Sequence, residues 1–231
     1  MYLAGLELIF TKVNKIKIAF FVFVLAATID IIGIIFSIPL LIYIFKPLII
    51  FSLLFLYVFS LPKRLKWYVM ALELSFFGDV LLLFSGELFF IAGLVSFLIA
   101  HALFIKIVTN RIKGVNFSKI IASAIPFLAA FSLLIFTLKD SLHEMLWPVV
   151  IYGLTIATFG AVSFLDFLNT KSKKSLLMLF GAVVFMISDS LLAINKFYSP
   201  AQILEVFVMI TYVLAQYLIF RSMILDIEKK Q

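Results

Sequence analysis

Residues 71–105 read A-L-E-L-S-F-F-G-D-V-L-L-L-F-S-G-E-L-F-F-I-A-G-L-V-S-F-L-I-A-H-A-L-F-I, two apolar stretches joined at Ser85-Gly86-Glu87. Each carries one ionisable group far from its ends, Asp79 in the first and His101 in the second. A later apolar run holds Asp189, and two others hold Lys46 and Tyr152. Ionisable side chains are costly in hydrocarbon, and those found there exchange protons, pair with an opposite charge or bind a polar ligand. At about 1.5 Å per helical residue, Asp79, Asp189, Lys46 and Tyr152 fall roughly 8–11 Å from the same end of their helices. Asn195 and Lys196 close the Asp189 helix at that end. Four helices that bring a polar group to one level point to a site.

The elements that must position these groups are membrane helices. The sequence is 65% hydrophobic and 13% charged, with a mean hydropathy of +1.24. Soluble domains have about 45–50% apolar and about 25% charged residues. A bilayer core takes about 20 apolar residues per helix. On that measure the chain is an all-α membrane protein with eight spans in one domain over 1–231: 16–37, 39–61, 67–84, 88–108, 119–138, 146–167, 174–194 and 201–222. The first span follows Lys12, Lys15 and Lys17 but runs on for about 22 residues, too long for the core of a cleaved signal peptide. The net charge of +7 sits in short clusters between spans, which argues against a nucleic-acid partner. Of the 19 lysines and arginines, 16 fall on connections and termini that this topology places on one side. Positive charge stays in the cytoplasm, so both termini are expected there. The expected location is a bacterial inner (cytoplasmic) membrane.

The absence of cysteine removes disulfide and thiolate chemistry, and two histidines are too few for a three-histidine zinc site. No cofactor and no metal are expected. Short strings recur four helices apart, among them G-D-V-L-L (78–82) with S-D-S-L-L (188–192), and A-H-A-L-F-I (100–105) with A-Q-Y-L-I-F (215–220). A parallel four-plus-four duplication would leave such pairs, and so would chance among apolar strings.

In chain order, K-P-L (46–48), S-F-F-G-D-V-L-L (75–82), A-G-L-V-S-F-L-I-A-H (92–101), Tyr152, G-A-V-V-F-M-I-S-D-S-L-L-A-I-N-K-F (181–197) and T-Y-V-L-A-Q-Y-L-I (211–219) carry a resemblance. On these motifs the chain resembles the YhhN family of membrane proteins, whose animal members are lysoplasmalogenases. The first helix holds none of the motifs, and Asp30 within it matches none of them. The resemblance implies hydrolysis of the vinyl ether bond of a lysophospholipid-type substrate, giving a fatty aldehyde and a glycerophospho-base.

That chemistry needs a carboxylic acid that protonates the outer vinyl carbon, and an anionic partner that steadies the oxocarbenium ion or activates water. Glycosidases meet a similar ion with two carboxyl groups. Asp79 and Asp189 supply the pair, Lys46 could keep one of them ionised, and the sequence leaves open which is the acid. Lys46, Ser75, His101, Tyr152, Asn195, Tyr212 and Gln216 are the candidate substrate-binding residues. Ser75 stands four residues before Asp79, on its face, whereas Glu73 does not. Asp30 and Glu205 are set aside.

Each group also has a plainer reading. The aspartates could be interhelical glue, Lys46 a lysine snorkelling to the interface, and His101 a packing residue. Two other functions stay open, a proton- or cation-coupled transporter and a non-enzymatic lipid-binding protein.

Overall fold

In a bilayer core every backbone N–H and C=O must find its partner within the protein, and long apolar runs satisfy this by coiling into helices. The computed structural model describes residues 2–228, with side chains from 13 to 226. Of the charge clusters used for topology, Lys12, Lys229 and Lys230 lie outside the described side chains. Among the described residues there are eight α-helices and no strand: α1 Tyr2–Ile35, α2 Pro39–Ser60, α3 Lys66–Leu81, α4 Glu87–Thr109, α5 Phe117–Leu142, α6 Leu146–Thr170, α7 Lys173–Phe197 and α8 Gln202–Glu228. A 3-10 turn, His143–Met145, links α5 to α6.

Six stretches of the described residues are long and apolar enough to cross a membrane, and Phe117–Thr170 runs through both α5 and α6. The chain is a multi-pass membrane protein. The stretch expected to span 67–84 is shorter, since α3 has 16 residues and ends at Leu81. The cause is the turn that follows. Gly86, just before α4, has φ +119°, a backbone that glycine alone adopts without strain.

Local signals place the other ends. Pro39 opens α2 in its first turn, where a missing N–H costs nothing. The Asn116 side chain accepts from the Ser118 N–H at 3.1 Å to cap α5. Ser172 and Ser175 cap α7 reciprocally. Short connections fold successive helices back as antiparallel neighbours.

The helices close a ring. Each of α1, α2, α3, α4, α6, α7 and α8 packs on the next in that order, and α8 returns to α1. Helix α5 stands outside, against α6 and α7. Helices in lipid gain little from hydrophobic attraction, so small residues and hydroxyl bonds draw them together. A Cβ added at Gly78 would lie 2.5 Å from the Phe97 ring, so glycine lets α3 and α4 meet closely beside Asp79. Ser96 Oγ donates to the Leu74 carbonyl at 2.7 Å, and Ser188 Oγ to the Val208 carbonyl at 2.9 Å.

The two ends of the ring differ. At the end with the α4–α5 and α6–α7 connections, Lys174 Nζ donates to Asp226 Oδ1 at 2.6 Å, and Arg111 Nε lies 3.3 Å from Oδ2. Burial pulls the pKa of the Arg111 guanidinium down, and the Asp226 carboxylate opposes that. This cluster pins the α4–α5 connection to α7 and α8. At the opposite end Gln202 Nε2 donates to the carbonyls of Ile34 and Ile35 at 2.7 and 3.0 Å, joining α8 to α1. A cavity opens there.

Candidate functional site

The opening is a vestibule of about 360 Å³ between α1, α2, α3, α7 and α8. Its polar lining is Tyr43, Lys46, Asn195 and Glu205, set among aliphatic side chains such as Ile42 and Leu192. Below it lies a smaller cavity of about 50 Å³ that shares Lys46, Leu82, Leu192, Val208 and Met209 with the vestibule. Asp79, Asp189, Tyr152 and Tyr212 line this inner cavity. The carboxyls from α3 and α7 therefore face one space.

Each carboxyl is held by a phenol from another helix. Tyr212 Oη donates to Asp79 Oδ2 at 2.7 Å, and Gln216 Nε2 donates to that phenol at 3.4 Å. Tyr152 Oη donates to Asp189 Oδ2 at 2.9 Å. These bonds fix the carboxyls while leaving oxygen lone pairs for a substrate or water. The two surroundings differ in charge. Lys46 and, more weakly, Asp30 are within electrostatic reach of Asp79, whereas Asp189 has its Tyr152 hydrogen bond and Asp79 as neighbours and no cation. Pro47 follows Lys46 and removes the N–H that would have bonded the Tyr43 carbonyl, loosening α2 at the boundary of the two spaces.

Asp189 also borders a third space. A crevice of about 40 Å³ between α5, α6 and α7 shares Tyr152 and Asp189 with the inner cavity.

Of the residues named from sequence, Asp79, Asp189, Lys46, Tyr152 and Tyr212 come together at the inner cavity. Asn195 lines the vestibule, where its Oδ1 accepts the Ala201 N–H at 2.7 Å and shapes the α7–α8 turn. Gln216 stands behind Tyr212. Ser75 and His101 line neither space. Ser75 Oγ is spent on the Ala71 carbonyl at 2.9 Å, the usual resort of a serine inside a helix. His101 Nδ1 donates to the Phe97 carbonyl at 2.8 Å, and its ring lies edge-on to Phe185, 4.4 Å between centroids. It also packs against the Tyr152 ring, so it supports a cavity residue from below.

Two residues set aside from sequence stand nearby. Glu205 lines the vestibule. Asp30 is fully buried with neither carboxyl oxygen hydrogen-bonded, within electrostatic reach of Lys46. Asp30 lies five residues before the end of α1, so the depth count that found Asp79 and Asp189 also reaches it. Its rotation about the helix was the missing coordinate. Among the described residues no group of three or more histidine, aspartate or glutamate side chains is placed to share a metal ion.

The model of the YhhN family matches residues 41–223. The matched segment carries Asp79, Asp189, Tyr152 and Tyr212 and leaves out the whole of α1 with Asp30. No curated protein and no solved structure matches the chain.

Proposed function

The chain belongs to the YhhN family, and from that premise we propose that it is a membrane-embedded hydrolase that cleaves the vinyl ether bond of a lysophospholipid. The observation that carries the reading is the pair of carboxyls, Asp79 and Asp189, lining one inner cavity beneath a polar vestibule.

The reaction divides between them. Asp189, which has no cation among its electrostatic neighbours, is the acid, and it gives its proton to the vinyl carbon one removed from oxygen. The double-bond electrons form the new C–H bond, and an oxocarbenium ion is left at the carbon attached to oxygen. Asp79, beside Lys46, is the carboxylate that faces this cation and takes a proton from the attacking water. When the hemiacetal breaks its bond to the glycerol oxygen, that oxygen takes the proton held by Asp79 and leaves as the alcohol. Asp189 takes the hydroxyl proton and the water oxygen stays in the aldehyde, so both carboxyls return to their starting states. Lys46, at the boundary of vestibule and cavity, meets the phosphate from its vestibule side. No cofactor enters this scheme.

The proposed topology has eight spans, with both termini in the cytoplasm and the vestibule on the opposite side, in a bacterial cytoplasmic membrane. Helix pairing supports two similar halves, because α2 packs on α3 and α8 much as α6 packs on α7 and α4. A coupled transporter would need a polar path onward from the aspartates. The rings of Phe104, Phe159 and Phe185 surround His101 there, and Glu73 faces outward. The hydrolase reading fits this better.

Purified protein mixed with 1-alkenyl, 1-alkyl and 1-acyl lysophospholipids tests the reading. Aldehyde should appear from the alkenyl lipid alone, carrying one deuterium beside its carbonyl when the solvent is deuterium oxide. Aldehyde without solvent deuterium, or cleavage of the acyl lipid instead, would defeat it.

A further inference from the structure

We propose that the crevice between α5, α6 and α7 seats the substrate's hydrocarbon chain next to its reacting double bond. The lipid then lies with its head group in the vestibule and its chain leaving sideways into the bilayer. The inference rests on the hydrolase reading above and adds to it the orientation of the substrate.

Adjacency of the three spaces comes first. The vestibule and the inner cavity share Lys46 in their linings, and the inner cavity and the crevice share Asp189 and Tyr152. The charged groups of the two outer spaces differ. Lys46, Asn195 and Glu205 line the vestibule, while Phe131, Leu134, Ile135, Val149, Met186 and Ala193 line the crevice. Clefts that bind lipid-like molecules are mostly apolar, with a few polar groups that fix orientation. At about 40 Å³ the crevice holds only the first methylenes. The rest of the chain belongs in the surrounding lipid.

Helix α5 lies outside the ring, so its contact with α6 and α7 forms a seam rather than part of the closed wall. Gly153 keeps that seam narrow at one point. A Cβ there would lie 2.9 Å from the Phe131 ring, so Phe131 rests directly on the α6 backbone and walls the crevice.

The direction of the reaction agrees with this orientation. In a vinyl ether the carbon that takes the proton is on the chain side, and the carbon that becomes cationic is on the glycerol side. Asp189, the proposed acid, borders the crevice, while Asp79 lies on the Lys46 side. A lipid lying the other way would present its cationic carbon to the acid.

An ether lysolipid with a diazirine near the ether end of its chain tests the seat directly, whether or not turnover is measured. Photolabelling that unlabelled ether lysolipid competes away should fall on α5, α6 and α7, at Phe131, Ile135 or Met186. Competed labelling confined to α1, α2 or α8, or none that is competed, would overturn the proposal. Turnover gives a second test. In Ala193→Phe the ratio of hexadecenyl to ethenyl lysolipid turnover should fall about tenfold, because the ethenyl lipid has no carbon beyond its double bond and the longer chain is denied burial of roughly two methylenes. An unchanged ratio in folded protein would also overturn it. If wild-type protein released aldehyde from neither lipid, the hydrolase reading would fail, and the labelling would still decide where the chain lies.

Discussion

Asp79 and Asp189 receive the same kind of hydrogen bond, yet their hydroxyl donors should matter unequally. A hydrogen bond to a charged group contributes about 1.5–3 kcal/mol and one between neutral groups about 0.5–1.5 kcal/mol. With Asp79 as carboxylate and Asp189 as neutral acid, Tyr212→Phe should lower kcat about ten- to hundredfold. Tyr152→Phe should lower it only about two- to tenfold. Steady-state rates of the two purified variants check this, and the reverse order would exchange the roles of the two aspartates. At this scale the sequence showed depth well and rotation badly. Depth is a count of residues, so Asp79, Asp189, Lys46 and Tyr152 were placed at one level before any fold was known. Rotation depends on which neighbours a helix finds. Ser75 shares a face with Asp79 and still turns its hydroxyl onto Ala71. Glu205 was set aside and lines the vestibule.

Helices α3 and α4 show how closely the elements must meet to present these groups. Phe97 lines the inner cavity and leaves no room for a side chain at Gly78. Gly78→Ala should cost about 1–3 kcal/mol through overpacking, read as a lower unfolding temperature in detergent. Phe97→Leu in the same chain should recover part of the loss, and equal stability of Gly78→Ala and wild type would contradict the close approach. The eight helices were legible because Pro, Gly and charged residues interrupt apolar runs of membrane length. The early end of α3 was not, because Leu82, Leu83 and Phe84 are as apolar as the helix before them. Nor could the outlying place of α5 be read, since it is no less apolar than helices inside the ring.

The ring is what makes one site from distant residues, since 110 positions separate Asp79 from Asp189 and α3 never follows α7 in the chain. Pairing of this kind is invisible to local pattern, and the same holds for Arg111 with Asp226 at the other end. The proposed orientation in the membrane rests on the charge clusters. A reporter placed after Lys66 or after Lys173 should read as cytoplasmic, and one placed after Gly86 as outside. A cytoplasmic signal after Gly86 would invert the protein and put the vestibule on the inner face.

The paired carboxyls remain the centre of the account, and turnover by Asp79→Asn and Asp189→Asn beside wild type tests them most directly. Asparagine keeps the shape of the side chain but can neither supply the proton nor carry the negative charge. General acid–base assistance is typically about 10²–10⁴-fold. Each variant should therefore lose aldehyde release by about that factor while keeping wild-type thermal stability and lysolipid binding. Near-normal aldehyde release by either variant would contradict the account and leave that aspartate as a link between helices.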